Sequence, residues 1–318
     1  MTPLLRRSLL WGAGILVLVL VLGAGFRFPW GATAAAVTGA DPAALAALVV
    51  VALLCLMAKA WAWHLLLRPV APHRFWSAQD ANFVGTAVNN LAVAVIGEAA
   101  RVRRLRALEP TVPFGTAIAS VVWTRALEGV GLAVFVLTAP MVVQLPPILR
   151  GAEIGAATVL IVLGGLIWFR GWAELPAGFP EPIRRAAVML GQIGPWHRLA
   201  APALLALINW IGQWAAFYFA LVAAGIAVPP EGSLVVMLLT NLATLLRLTP
   251  AGVGATQAAF IAGLLPFHVS AAQAIGASLL FQAAQILPVM ALALALVGWN
   301  GLGDLLKPAP AAPAEKQG

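Results

Sequence analysis

The sequence predicts an all-α polytopic membrane protein made of two inverted repeats, with about six full transmembrane helices and two re-entrant helical hairpins. Of the 318 residues, 62% are hydrophobic and 9% are charged, whereas charged residues make up about a quarter of a soluble domain. The apolar residues form runs long enough to cross a bilayer several times. These observations exclude a soluble globule. The single cysteine, Cys55, also excludes a disulfide framework or a cysteine metal site.

The first two apolar runs, residues 8–26 and 42–67, predict two crossings that begin and end in the cytoplasm. Arg6 and Arg7 precede the first run, and Arg68 follows the second; basic residues of this kind stay on the cytoplasmic side. A cleaved signal peptide is the alternative for the first run. Because that run is longer than a signal core and the downstream chain is also apolar, we expect a retained first helix.

Residues 77–108 predict a re-entrant hairpin that enters and leaves from the cytoplasm. The segment is apolar but interrupted by polar residues and glycine, and basic residues such as Arg74 and Arg106 flank both ends. A segment whose two ends both belong in the cytoplasm cannot be a single crossing. We place its tip near residues 91–97, where protein or a water-filled cavity must satisfy the non-helical backbone.

The rest of the chain contains four further crossings and a second hairpin. The predicted crossings are residues 112–139, 153–169, 199–228 and 271–297. Residues 233–265 predict the hairpin, because Pro250 and the motif Gly252-Val253-Gly254 break the helix there. No basic cluster follows this segment, and the last crossing must end in the cytoplasm near Lys307. The second hairpin therefore enters and leaves from outside.

Two halves of opposite orientation follow from this topology, residues 1–145 and 146–307. Inverted halves with discontinuous helices are typical of transporters that alternate access about a central site. The remaining residues, 308–318, are rich in proline and alanine and are expected to be disordered.

The positions of the basic residues support this arrangement. Thirteen of the 19 Lys and Arg residues fall in predicted cytoplasmic segments, as expected for a multi-pass protein of a bacterial inner membrane with both termini in the cytoplasm. The same distribution explains the net charge of +8. Nucleic acid is therefore not an expected partner.

Arg125 and Glu128 lie near the centre of a predicted span and share one helix face, since they are three residues apart. Placing a charge at that depth costs on the order of 3 kcal/mol, so such charges are usually functional. The alternative is a self-satisfied pair that holds helices together. Lys59, nearer the cytoplasmic end of its span, is expected to snorkel toward the interface.

The returning half of each hairpin begins with a helix N-terminus directed at the membrane centre, where exposed N–H groups and the helix dipole attract anions. Arg101 and Arg247 add positive charge at similar depth, which favours a lipid with a phosphate-bearing headgroup. Glu98 repels phosphate unless it is protonated or paired, so a coupling proton or an amine-bearing headgroup is its alternative ligand. Further candidate substrate-binding residues are polar positions inside the predicted spans and hairpins: Asn90, Asn241, Gln257, Gln282 and Gln285.

Catalytic and cofactor motifs are missing from the sequence. It contains no HExxH, GxSxG or P-loop motif and no cluster of cysteines and histidines. Nothing places a nucleophile beside Glu98 or Glu128. We therefore expect no enzymatic activity, no cofactor and no metal.

Three motifs resemble the transmembrane family of lysylphosphatidylglycerol synthases. They are Asn90 through Gly97-Glu98-Ala99-Ala100-Arg101, Ala119-Ser120-Val121-Val122-Trp123-Thr124-Arg125 with Glu128, and Thr249-Pro250-Ala251-Gly252-Val253-Gly254. The family includes the lipid-flippase half of the multiple peptide resistance factor and stand-alone bacterial membrane proteins. The resemblance runs from residue 50 to residue 298 and implies lipid translocation. Its matching positions are Glu98, Arg101, Arg125 and Glu128.

The chain departs from the family pattern mainly in its second half. The family often has an acidic residue where this chain has Gln257, and an arginine where it has Gln282. Ala94-Val95-Ile96 stands where the family usually has Pro-Gly. The missing charge argues against a coupling scheme with two carboxylates. The sequence contains no aminoacyltransferase domain, so the resemblance does not imply lipid modification.

Three functional hypotheses follow. The favoured one is a lipid transporter or flippase that moves a lipid or lipid-linked headgroup between leaflets through a central polar site. The second is a transporter of a small anion or amphiphile through the same site. The third is a non-catalytic accessory subunit of a lipid-synthesising enzyme. A homo-oligomer is compatible with each of them.

Overall fold

The computed structural model describes residues 30–92, 96–143, 147–168, 188, 196–244 and 250–306. All regular structure in this part of the chain is helical, which confirms the predicted all-α class. The predicted first span, the tail and Arg247 lie outside the described residues.

Ten α-helices are described, joined in places by short 3₁₀ turns. In chain order they are α1 Trp30–Thr38, α2 Pro42–Leu67, α3 Phe75–Leu91, α4 Ile96–Leu108, α5 Phe114–Thr138, α6 Pro147–Trp168, α7 Ala200–Ala223, α8 Pro230–Ala243, α9 Ala255–Leu264 and α10 Ala271–Leu306. A break with φ 67° at Gly298 interrupts the last helix.

Four of these helices are long and apolar enough to cross a membrane: α2, α5, α7 and α10. They confirm four of the predicted crossings. α6 occupies the position of a fifth, and within it Gly151–Val162 is a shorter apolar helix. The sequence did not predict α1. This short helix packs on α10, where the Thr33 hydroxyl donates to the carbonyl oxygen of Ala272 at 3.4 Å.

Local chemistry fixes the starts of the long helices. Asp41 accepts a hydrogen bond of 2.8 Å from the backbone N–H of Ala43 and so caps α2, with Pro42 in its first turn. Ser270 and Gln273 exchange side-chain and backbone hydrogen bonds at the start of α10. Both caps satisfy N–H groups that a helix leaves without partners.

The first broken segment consists of α3 and α4, which pack side by side. The backbone becomes extended at Ala92 and helical again at Ile96, so the break falls where the sequence places the tip. A Cβ atom on Gly85 of α3 would lie 2.6 Å from the Cβ of Arg101 and 2.8 Å from the carbonyl oxygen of Gly97 on α4. The lack of a side chain at Gly85 therefore allows the two helices to touch.

Gly85→Ala is expected to lower the free energy of unfolding by about 1–3 kcal/mol, the usual cost of overpacking a close contact. Thermal unfolding of the purified protein in detergent measures the effect. Gly155→Ala on α6 is the matched control, because a Cβ there meets nothing within 4 Å. Equal melting temperatures for the two variants would contradict the close approach of α3 and α4.

Hydrogen bonds tie the two ends of the first broken segment together. Glu109, just after α4, accepts from the Ser77 hydroxyl at 2.7 Å and from the backbone N–H of Arg74 at 3.1 Å. Both hydrogen bonds lower the pKa of the Glu109 carboxyl, and the bond from Ser77 has the larger effect. Beside Glu109, His73 and His64 share a contact of 3.0 Å between ring nitrogens, which the spacing of these histidines in the sequence did not indicate. Burial lowers the pKa of His73.

The second broken segment consists of α8 and α9. Between them, Ala251 and Gly254 have positive φ angles of 50° and 87°, which end one helix and begin the next. Within the segment, a Cβ on Gly263 would lie 2.9 Å from Cγ2 of Val236. Both broken segments thus use glycine where their helices pack.

Packing places the long helices at the centre of the bundle. α2 lies along α7, and α5 and α10 each contact both of them. The first broken segment packs against α2 and α10, and the second packs against α7 and α10. An aromatic core joins the second half, since the rings of Phe217 and Phe281 stack with centroids 4.1 Å apart and both contact Phe260.

Candidate functional site

A cavity of about 490 Å³ lies between the two broken segments and the long helices. Its lining comes from both halves of the chain, and α3 contacts the 3₁₀ turn Pro250–Gly252 at its edge. Gln257 does not line it, and Arg247 lies outside the described residues. The other candidate residues all line the cavity: Asn90, Glu98, Arg101, Arg125, Glu128, Asn241, Gln282 and Gln285.

Five charged side chains form a continuous series of ion pairs along the cavity. Lys59 Nζ on α2 lies 3.0 Å from Glu128 Oε1 on α5. Glu128 Oε2 accepts a hydrogen bond of 2.8 Å from Arg125 Nη1. Arg125 Nη2 donates to Glu98 Oε1 on α4, and Glu98 Oε2 lies 3.6 Å from Arg101 Nη1. Positive and negative groups therefore alternate across three helices.

The contacts of Arg125 place this residue of α5 against the first broken segment. The three-residue spacing from Arg125 to Glu128 puts both side chains on one face of α5, where Arg125 contacts Glu98 on α4 and Glu128 contacts Lys59 on α2. Arg125 joins two carboxylates on different helices, as a residue that holds helices together would. Its side chain is nevertheless 34% exposed, so the guanidinium is also accessible to a ligand.

Arg101 is held differently, deep in the wall. Its side chain is only 3% exposed, and the guanidinium carbon lies 3.8 Å from the ring centroid of Trp63, a cation–π contact. Trp63 in turn donates from Nε1 to the Ser120 hydroxyl at 2.8 Å. Arg101 Nε and Nη2 have no hydrogen-bond partner among the described residues. Arg101 is therefore a buried cation, and two of its guanidinium nitrogens make no hydrogen bond to the described residues.

Lys59 corrects a sequence-based expectation. The expectation was that it would snorkel toward the cytoplasmic interface, but its ammonium group turns inward and pairs with Glu128. An inward carboxylate at hydrogen-bonding distance stabilises the ammonium more directly than a distant interface does. Lys59 therefore belongs to the charged wall of the cavity.

The second half contributes a neutral counterpart to this charged wall. Gln257 Nε2 donates to Gln282 Oε1 at 2.6 Å, and Gln282 Nε2 donates to the carbonyl oxygen of Ala251 at 3.1 Å. Gln257 therefore lies behind Gln282 and holds it against the break between α8 and α9. The two positions in the second half where the sequence departs from the family pattern are in direct contact with each other.

The N-terminal N–H groups of the two returning helices are not free at the positions that the sequence suggested. The Gly97 N–H donates to Asn89 Oδ1 at 3.0 Å, and the Gly254 N–H donates to Gln257 Oε1 at 2.6 Å. Nearby side chains thus satisfy these donors in the way that helix caps do. These two N–H groups are therefore not free donors for an anion in the cavity.

Several lining residues escaped the sequence analysis. Asn209 and Gln213 on α7 and Asn82 on α3 line the cavity with amide groups. Asn209 and Gln213 are isolated polar residues in an apolar stretch, a pattern that also fits interhelical hydrogen bonds, and Asn82 makes such a bond to the carbonyl oxygen of Leu56. Only the packing of α7 against α2 shows which way the first two face.

The fold and the cavity define a helical membrane protein with several spans and a polar interior site. The chain belongs to the lysylphosphatidylglycerol synthase transmembrane-region family. The sequence model of this family matches residues 9–293. The resemblance read from the three motifs is thereby confirmed. Membership places the protein among multi-pass membrane proteins associated with lipid metabolism or transport. No curated protein is significantly similar to the chain.

Proposed function

We propose that this protein moves a lipid or lipid-linked headgroup between the two leaflets of the membrane through the cavity. The observation that carries the proposal is a charged cavity of about 490 Å³ within a bundle of apolar spans. A headgroup that leaves water needs polar partners along its path, because burying an unpaired charge is prohibitive. The charged and amide side chains of the wall supply such partners. Family membership adds independent support.

Arg101 and Arg125 are the proposed contacts for a headgroup phosphate. A guanidinium matches phosphate oxygens with two parallel N–H bonds, and Arg125 is the more accessible of the two. Glu98 and Glu128 each lie between two cations, so their proposed role is to position the arginines. The remaining wall residues are proposed to contact the rest of the headgroup: Asn90, Asn241, Gln282 and Gln285.

Two inverted halves are the proposed basis for alternating access. The packing supports this architecture, because α5 in the first half and α10 in the second each contact both central helices, α2 and α7. The two broken segments also meet at the cavity, through α3 and the turn Pro250–Gly252. Inverted halves that meet at a midplane site can expose it to each leaflet in turn.

Cysteines placed at the ends of the two broken segments are expected to label from opposite sides of the membrane. In a Cys55→Ser background, we expect Pro72→Cys and Pro110→Cys to react only from the cytoplasm, and Ala227→Cys and Pro266→Cys only from outside. All four introduced positions are exposed, and the basic flanks of the first segment set the direction. Impermeant maleimide added to intact cells and to inverted vesicles measures the side. Opposite labelling of the two ends of one segment would contradict the inverted architecture.

Purified protein in proteoliposomes tests the proposed function. Fluorescent phospholipid in the inner leaflet is expected to become accessible to an external quencher faster than in liposomes without protein. Anion flux without lipid movement would instead favour a transporter of small anions or amphiphiles, since the accessible Arg125 guanidinium also suits a soluble anion. If the protein showed neither lipid movement nor anion flux, that result would favour a non-catalytic accessory subunit. The distribution of basic residues favours a bacterial inner membrane with both termini in the cytoplasm.

A further inference from the structure

The charges of the cavity do not cancel. Its described lining holds three cations, Lys59, Arg101 and Arg125, and two carboxylates, Glu98 and Glu128. At neutral pH this leaves one positive charge in excess. A ligand that completes the charge balance of this lining carries a single negative charge.

Neither carboxylate is free for an ammonium group. Glu98 lies between Arg101 and Arg125, and Glu128 lies between Arg125 and Lys59. An amine-bearing headgroup would have to displace one of these cations or remain close to them. Like charges at such distances destabilise the complex. The donors without a partner among the described residues are Arg101 Nε and Nη2. The two carboxylate oxygens that lack a hydrogen bond, Glu98 Oε2 and Glu128 Oε1, lie 3.6 Å from Arg101 Nη1 and 3.0 Å from Lys59 Nζ, so each still faces a cation of the protein.

The uncharged polar part of the wall consists largely of amides. Asn90, Asn209, Gln213, Asn241 and Gln285 all line the cavity, and Asn90 Nδ2 has no hydrogen-bond partner among the described residues. An amide offers both donors and an acceptor. Such a wall suits hydroxyl groups, which also donate and accept, and it leaves an apolar headgroup with unsatisfied partners.

We infer that the site selects a singly charged phosphodiester whose headgroup carries hydroxyls and no amine, that is, a polyol or sugar phosphodiester. The inference rests on the proposed function and narrows its substrate class. It rejects the amine-bearing headgroup that Glu98 suggested in the sequence, because that carboxylate is held by two arginines.

Binding of short-chain phospholipids, measured as ligand-dependent melting temperature in detergent, tests the inference. Dihexanoyl phosphatidylglycerol is expected to bind with an apparent Kd about tenfold lower than dihexanoyl phosphatidylethanolamine or a lysyl ester of phosphatidylglycerol, the difference that one charge-assisted hydrogen bond confers. Phosphatidylmethanol, which has the same charge but no hydroxyl on its headgroup, is expected to bind with intermediate strength. Equal binding of all four lipids, or tighter binding of either amine, would overturn the inference.

Two variants separate the charge from the hydroxyl contribution. Arg101→Gln is expected to abolish the preference for phosphatidylglycerol over phosphatidylethanolamine, and Asn90→Leu the preference for phosphatidylglycerol over phosphatidylmethanol. Arg68→Gln, which alters an exposed arginine outside the cavity, should keep both preferences. Retention of both preferences in the two site variants would place recognition elsewhere. If a variant does not fold, the comparison of lipids on the unmodified protein still decides.

Deacylated glycerophosphoglycerol distinguishes a lipid headgroup from a soluble phosphodiester. Binding equal to that of the lipid would mean that the same chemistry serves a soluble anion. Lipid preference without lipid movement in proteoliposomes would refute the proposed function and leave the ligand class intact. Lipid movement without headgroup preference would support the proposed function and refute the inferred ligand class.

Discussion

Arg125→Ala is expected to reduce lipid movement in proteoliposomes by about tenfold or more, because it removes a charge-assisted contact to the headgroup. It also removes the cation that joins Glu98 to Glu128. Arg101→Ala is expected to have a similar effect on transport. Arg125→Lys should recover part of the activity, since an ammonium group restores the charge but not the planar fork that grips two oxygens.

The comparison requires variants matched for expression and melting temperature. Arg68→Ala is the control, because it removes the same charge from an exposed position at the end of α2. Unchanged transport in both folded alanine variants would remove Arg101 and Arg125 from the headgroup site. Misfolding of both would favour a purely structural role for these charges.

Lys59→Met and Glu128→Gln are expected to destabilise the protein by roughly 2 kcal/mol each, and the double variant by clearly less than the sum. Glu128→Gln leaves the Lys59 ammonium without its opposite charge, and Lys59→Met leaves Glu128 with Arg125 as its one remaining cation among the described contacts. The estimate lies below that for fully buried pairs, because Lys59 is 20% and Glu128 13% exposed. Melting temperature or reversible unfolding in detergent measures the three variants against the unmodified protein.

An additive double-mutant cycle would contradict the ion pair and restore the snorkelling orientation for Lys59. A second cycle that combines Lys59→Met with Arg68→Ala is the control. These two residues share no contact among the described ones, so their effects should add within a few tenths of a kcal/mol, about 0.3–0.5.

The long helices and the positions of both breaks could be predicted because they depend on local sequence. Runs of apolar residues set the lengths of α2, α5, α7 and α10, and the Pro-Ala-Gly-Val-Gly stretch determines where the second segment breaks. α1 could not be predicted in this way. It is a short helix of mainly small residues that gains stability by packing on α10, where Gly276 lies close to Ala36.

Most of the charged residues of the site could be predicted, because charged residues are rare within membrane spans and therefore stand out in the sequence. Arg125, Glu128, Glu98 and Arg101 were identified on that ground. Lys59 was missed because distance along one helix says nothing about the neighbouring helix, whose Glu128 decides its orientation. The occupied N–H groups of the returning helices depend on side-chain conformation, which sequence patterns do not specify.

The two broken segments are held to the bundle by different kinds of contact. The first segment has an ion pair from Glu98 to Arg125 on α5, in addition to amide hydrogen bonds from Gln79 and Asn82 to α2. The second segment is held by neutral hydrogen bonds such as those of Gln257 and Gln282. Separating opposite charges at a poorly hydrated site requires more free energy than exchanging amide hydrogen bonds for water. An alternating cycle that opens each segment in turn would therefore have unequal dwell times. Release of the first segment would be its slow step, and raised ionic strength would change the rate of that step little, because salt screens a partly buried ion pair weakly.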